Sequence, residues 1–343
     1  MNRKLLVAAI FSVASLFVYA GCAGDTGPAG PQGETGPQGL AGQQGVSGQQ
    51  GLAGPAASIA GGLGHVHAGG SYVLNAGDFV SAADWDAMET VRVELNEFSF
   101  SPEKLVFEAG KPYKLEVVNA GTEKHYFTAE EFYGAVAFRK AQTSEGEFKA
   151  PYFKAIEVFP GDQVDLYFVA VIPGKYDSVC TIEGHAESGM HGRITVTGDV
   201  PTSPAPAVGI VAEGDWVQDA GERVSAADWD SMRTVTVDMG EFSFTPENLE
   251  LEVGQPYKLV IVNSGTEKHY FTAEPFYRSV AFRKAQDGSG EIKAPYFKAI
   301  EVFPGEQVDL YLIPTVAGSF DSLCTIDGHA ESGMHGHITV TGA

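Results

Sequence analysis

The sequence contains one domain written twice. Residues 70–198 and 214–342 align without a gap at an offset of 144, with about 89 identities over 129 positions. A gap-free repeat of this length demands two like units, because each copy must bury the same positions in the same way. A unit of roughly 100–150 residues can also hold its own core. Between the copies, residues 199–213 include PTSPAPAVG, which reads as a semi-rigid Pro-rich linker. The sequence therefore predicts two domains, 70–198 and 214–343.

Local patterns inside each copy favour strands. Val91, Val93 and Leu95 alternate with Arg92 and Glu94, a period of two. Residues 105–107, 114–118, 164–169 and 194–196 are further short runs rich in β-branched and aromatic side chains. Ala109-Gly110, Asn119-Ala120-Gly121, Pro160-Gly161 and Pro173-Gly174 punctuate them as turns. Many short strands with regular turns predict an all-β chain of two β-sandwiches. Thr128 to Ala141 departs from this: Phe132, Val136 and Arg139-Lys140 stand at roughly helical spacing, so a helix is expected there, inserted between strands.

The first 69 residues read differently. A basic Asn2-Arg3-Lys4 start precedes an apolar run from Leu5 to Ala20, too short for a membrane span and suited to a secretory signal over residues 1–21. The run ends in Tyr19-Ala20-Gly21-Cys22. Small residues before a cysteine resemble a bacterial lipobox, which implies cleavage and lipid attachment at Cys22, although Tyr19 stands where an aliphatic residue is usual. From Gly24 to Ala56 glycine then occupies every third position. Only glycine fits the axis of a collagen triple helix, so residues 24–56 are expected to be a collagen-like stalk. Four prolines in this stretch are fewer than a strong collagen carries, so two readings stand: a homotrimer, or an extended single-chain tether. Small residues up to Gly69 complete a 22–69 anchor, stalk and hinge. The expected location is exported, on the periplasmic or cell-surface face of a bacterial membrane, held there by the lipid.

A formal charge of −22, from 44 acidic and 22 basic residues, excludes a nucleic-acid partner, whose phosphates require a basic face. The positive charge that exists is local. Arg139, Lys140, Lys149 and Lys154 lie in or beside AFRKAQ and KAPYFKAIEVFPG, segments identical in both copies. They read either as a docking face for an acidic redox partner or as solvated cations beside a packed Tyr152, Phe153, Ile156 and Val158.

One constellation carries chemistry. Cys180, His185 and Met190 follow a C-x4-H-x4-M spacing, and Cys324, His329 and Met334 repeat it. Upstream, His125 and its counterpart His269 follow a turn that ends a strand. A thiolate, two imidazoles and a thioether form a soft, asymmetric donor set suited to copper cycling between Cu(I) and Cu(II), with the Met as a weak axial ligand.

These residues resemble the cupredoxins, the blue or type 1 copper proteins. The resemblance covers both repeats and implies Greek-key β-sandwiches, one type 1 copper in each, and one-electron transfer. The ligands it implies are His125, Cys180, His185 and Met190, then His269, Cys324, His329 and Met334. The three cysteines are then one lipid attachment and two copper thiolates. The expected partner is a redox protein such as a cytochrome or another copper protein. The segment from Phe132 to Val158 is longer and more helical than small cupredoxins carry between the first His and the Cys.

Two other functions stand beside electron transfer. Copper enzymes of the nitrite reductase and multicopper oxidase type also join cupredoxin domains. They need a second, histidine-built copper centre with a ligand beside the type 1 Cys. Here Cys180 lies between Val179 and Thr181, and Cys324 between Leu323 and Thr325. His65, His67, His191, His335 and His337 remain and do not form repeated pairs. Copper storage or delivery is the third reading; it favours many exposed ligands, where this chain has one compact set per domain.

Overall fold

A computed structural model describes residues 72–201, 208–209 and 216–342. The signal, Cys22, the Gly-x-y stalk, His65, His67 and most of the linker lie outside the described residues. In the first repeat the elements are β1 (Tyr72–Val73), α1 (Ala76–Ala82), β2 (Glu89–Asn96), β3 (Ser99–Ser101), β4 (Lys104–Glu108) and β5 (Pro112–Asn119). They continue as β6 (His125–Phe127), α2 (Glu130–Gly134), β7 (Val136–Gln142), β8 (Gly146–Lys149), β9 (Ala155–Val158), β10 (Gln163–Ala170), β11 (Gly174–Val179) and β12 (His191–Thr197). After β13 (Val208–Gly209), which pairs with β1, the second repeat begins with α3 (Ala220–Ala226), β14 (Arg233–Gly240), β15 (Ser243–Thr245), β16 (Asn248–Glu252) and β17 (Tyr257–Asn263). It ends with β18 (His269–Phe271), α4 (Glu274–Arg278), β19 (Val280–Gln286), β20 (Gly290–Lys293), β21 (Ala299–Val302), β22 (Gln307–Pro314), β23 (Gly318–Leu323) and β24 (His335–Thr341).

Period-two burial builds the layers. Leu105 and Phe107 of β4 turn inward while Lys104, Val106 and Glu108 face water, and Ile194 and Val196 of the parallel neighbour β12 align with them. This three-stranded layer, ordered β11-β12-β4, lies across the core from β2, β5 and β10, whose Val93, Leu95, Leu115, Val117, Val164 and Leu166 are fully buried. Phe107 meets Tyr113, Phe132 and Phe168 with ring centroids 4.9, 5.5 and 5.3 Å apart. Each such side chain contributes roughly 1.5–3 kcal/mol relative to exposure. The second repeat is built in the same way, and both are β-sandwiches in tandem.

The inserted segment corrects the helical expectation. Helix occupies only Glu130–Gly134, and Val136–Gln142 is strand β7. The misleading spacing has a physical source. Opposite β10, Tyr167 pairs with Lys140 and Phe168 with Phe138, so Arg139 is an extra, bulged residue. A bulge breaks the alternation and leaves apolar residues at helix-like intervals. Tyr152, Phe153, Ile156 and Val158 pack inside as expected.

The repeats exchange strands through this insert. β8 pairs with β21, Phe148 opposite Ile300, and β20 pairs with β9, Ile292 opposite Ile156. The two ladders have the same register, so each repeat gives the other what it receives. The connection from β8 to β9 shows why they do not close on each other. Tyr152 and Phe153 are buried, with Phe153 4.8 Å from Phe138 between ring centroids, so the chain turns into the core instead of making a hairpin loop. Two eight-stranded sheets result, each spanning both repeats.

One contact across the exchange breaks the symmetry. Asp287, at the position where the first repeat has Thr143, accepts a 2.6 Å hydrogen bond from the Thr143 hydroxyl. Burial raises its carboxyl from the ordinary 3.8 to about 6, against the lowering effect of the Thr143 bond. A carboxyl raised on folding holds its proton more tightly in the folded chain. Its contribution is therefore greatest below pH 3.8 and is lost as pH rises to about 6. Across that window the stability of the native chain should fall relative to Asp287→Asn; equal pH dependence of their denaturation midpoints would contradict this.

Candidate metal centre

His125 is positioned by the turn before it. The buried Asn119 side chain ends β5, accepts from Gly121 N at 2.9 Å, and donates to Glu123 O at 2.8 Å and Val158 O at 2.9 Å. From the other side Glu97 accepts from Thr122 N and the Thr122 hydroxyl, at 2.5 and 3.0 Å. Those bonds lower the Glu97 carboxyl from 4.5 to about 2, the backbone bond from Thr122 being the largest cause. The loop is thus clamped at both edges. β6 then joins β9 with His125 opposite Val158, and Thr128 bridges to Val179, the residue before Cys180. His125 and Cys180 meet because β6 is stitched to the end of β11.

A tight loop brings the remaining donors. Cys180 N donates to Met190 O at 3.0 Å, and Met190 N to His185 O at 2.9 Å. Gly184 and Gly189 have φ of +82° and +109°, where a side chain would be strained. The second repeat duplicates the loop, with Cys324 N to Met334 O at 3.0 Å and Met334 N to His329 O at 3.0 Å.

The ligand atoms of His125, Cys180 and His185 lie within 4.8 Å of one another, as do those of His269, Cys324 and His329. Cys180 Sγ is 3.5 Å from His185 Nδ1, and Cys324 Sγ is 3.6 Å from His329 Nδ1. Tyr126 and Tyr270 each donate a backbone N–H to the cysteine sulfur at 3.4 Å. Met190 and Met334 are fully buried on the same loops.

The donors fit a soft metal. His125 and His269 are completely buried, yet no ring nitrogen of either makes a hydrogen bond, and among them only His269 Nε2 has a carboxylate beside it, that of Glu241 at 3.6 Å. Orphaned buried nitrogens cost roughly 1–3 kcal/mol each unless something binds them. A Cβ on Gly121 would come within 3.0 Å of His125 Nε2, so Nε2 faces the turn and Nδ1 is left for the cluster; Gly265 and His269 are arranged alike. Burial pushes both imidazoles below their usual value, helped at His125 by His185 and opposed at His269 by Glu241. Neutral imidazole is the form that binds metal. Copper would be held by His125, Cys180 and His185 in one repeat and by His269, Cys324 and His329 in the other.

One element of the site was not found from sequence. Phe98 fills the second place of the two-residue turn between β2 and β3, at φ +62°, a place usually given to glycine. It remains 47% exposed, with its ring centroid 5.2 Å from the half-buried His185. Phe242 does the same over His329 at 5.1 Å. Holding phenylalanine there costs about 1–3 kcal/mol, and the ring it places lies against the edge of His185. The only local sign was an aromatic residue where a tight turn asks for Gly or Asn. His191 and His335 are exposed, and His337 pairs with Asp321 at 2.8 Å.

Comparison with known proteins agrees with this geometry. A family model for the cupredoxin-like domain matches residues 73–196. The first repeat is a cupredoxin-like domain. The second, which matches the first at about 89 of 129 positions and has the same donors, is another. The copper-resistant cuproprotein CopI of Rubrivivax gelatinosus is 28% identical over 111 residues, covering 32% of this chain and 67% of that protein. Among solved structures, a Cu-containing nitrite reductase from Thermus scotoductus SA-01 is 14% identical with a TM-score of 0.26, over 74% of this chain and 62% of its own. Auracyanin B is 19% identical with a TM-score of 0.23, over 32% of this chain and 88% of its own. Neither overlap assigns an activity. The cupredoxin-like fold and its donors identify the chain as a copper-binding protein with one copper per domain. Among the described residues, no helix is long and apolar enough to cross a membrane.

Proposed function

We propose that this is an exported, lipid-anchored one-electron carrier with a type 1 copper in each cupredoxin-like domain, which Met190 and Met334 would help to hold as the fourth donors. The observation that carries the reading is the buried, asymmetric His–Cys–His cluster, repeated in both domains. Copper bound there supplies one electron per change between Cu(I) and Cu(II). The chain's own part is to keep the donors still. The Asn119 and Glu97 clamps hold the His125 turn, the backbone bonds between Cys180 and Met190 close the loop, and the Tyr126 N–H steadies the sulfur. A cluster that does not rearrange keeps the reorganisation per electron small. His185 and its Phe98 cover form the exposed edge at which a redox protein, such as a cytochrome or another copper protein, would exchange electrons.

Sequestration of copper is a second reading, favoured by the likeness to the copper-resistant cuproprotein. Two measurements on the copper-loaded chain separate them. A carrier shows reversible one-electron voltammetry at both centres and loses copper slowly to a chelator; irreversible redox behaviour with rapid loss would sink the electron-transfer reading. A further stoichiometric type 2 EPR signal would point to the enzyme alternative.

A further inference from the structure

The strand exchange builds a groove that neither repeat has alone. It encloses about 590 Å³, with Lys124 and Lys154 from the first repeat facing Arg283, Lys284, Glu291 and Lys293 from the second. Five cations and one carboxylate are an unexpected lining in a chain of formal charge −22. Two of the cations have carboxylates. Lys124 Nζ is 2.9 Å from Glu157 Oε1, and Lys284 pairs with Glu291. Lys154, Lys293 and Arg283 form no ion pair among the described residues. Lys293 Nζ instead takes the Tyr126 hydroxyl at 3.0 Å and lies 4.6 Å from its ring centroid. The Arg283 guanidinium lies 4.8 Å from the Trp229 ring centroid. Lys154 and Lys293 are half-buried, and burial pushes both ammonium groups down from 10.5. Carboxylates act on both only at a distance, Glu291 and Glu157 on Lys293 and Glu130 on Lys154. Ammonium drawn from water without a direct ion pair is costly, and an anion between the repeats would relieve it.

The groove is also written twice. Each of its thirteen lining residues has the same residue type 144 positions away, although the repeats differ at about 40 of 129 positions. The geometry repeats with the sequence. Lys149 Nζ donates to the Tyr270 hydroxyl at 2.8 Å, Lys268 Nζ lies 2.8 Å from Glu301, and Arg139 lies 4.8 Å from the Trp85 ring centroid. Sandwich packing explains identical apolar residues; it does not explain identical half-buried cations that lack a direct ion pair.

We propose that each groove binds a small polyvalent oxyanion, phosphate- or carboxylate-bearing, clamped between the repeats by Lys154, Lys293 and Arg283 in one and by Lys298, Lys149 and Arg139 in the other. The volume admits a molecule of several oxyanion groups, and the three unpaired cations set its charge. Calorimetric titration of the full chain tests this, with inorganic pyrophosphate in one arm and citrate in the other. Saturable binding of two ions per chain by either probe is expected, and the arm that binds names the oxyanion. Lys154→Gln with Lys293→Gln should halve the stoichiometry, and adding Lys149→Gln and Lys298→Gln should abolish it. Arg139→Gln with Arg283→Gln, at exposed positions that leave the core intact, should weaken binding about tenfold, the scale of one charge-assisted hydrogen bond. No saturable binding in either arm, or affinity unchanged in the arginine variant, would overturn the proposal.

Discussion

Replacing Cys180 with Ser is expected to lower bound copper from two ions per chain to one and to remove half of the thiolate-to-copper absorption. Cys324→Ser should do the same from the other side, and the double variant should bind none at a type 1 centre. A hydroxyl is a hard, protonated donor, whereas the site depends on a soft thiolate to complete two imidazoles. Each loss should also appear as stability. A metal bound only by the folded chain contributes about 4 kcal/mol at a thousandfold excess over its dissociation constant. Metal analysis, visible and EPR spectra, and melting with and without copper read the three effects together. Two type 1 coppers surviving in either single variant would remove that cysteine from the ligand set.

A chain cut to residues 70–198 is expected to run in solution as a dimer. Without the second repeat, β8 loses β21 and β9 loses β20, leaving two open edges and exposing Phe148, Ile156 and Val158, all fully or nearly fully buried in the whole chain. Each such exposure costs roughly 1.5–3 kcal/mol, and unpaired edges invite pairing. A second copy offers β8 and β9 in the same register, since β9 is identical to β21 and β8 differs from β20 only by Phe148 for Ile292. Light scattering distinguishes the outcomes. A copper-binding monomer would mean that β8 and β9 close as a hairpin around residues 150–154, and that the exchange is not required by the fold.

Much of this was legible in the chain, for physical reasons tied to particular residues. Val91, Val93 and Leu95, and the runs at 114–118, 164–169 and 194–196, lie in strands because alternation on a half-buried sheet leaves a direct trace in sequence. The Cys180 loop was legible because Gly184 and Gly189 mark the two left-handed turns it needs. The insert was not. The bulge at Arg139 broke the period, and β8, β9, β20 and β21 are four-residue strands buried on both faces, where no alternation survives. Phe98 was invisible for a related reason: its value lies in what it covers, not in the backbone it strains.

The repeat, the donor types and their spacing were determined by sequence alone, because covalent order sets which residues share a strand or a loop. Only tertiary structure decided that the copies exchange strands, since a strand's partner depends on which edge is free once buried aromatics have drawn the connecting chain inward. The same exchange decided where the basic residues went. Four cations that read as a patch on one domain became walls of two grooves, because Lys149 stays on β8 in its own repeat's sheet while Lys154 lies on the turn into β9, which joins the other's.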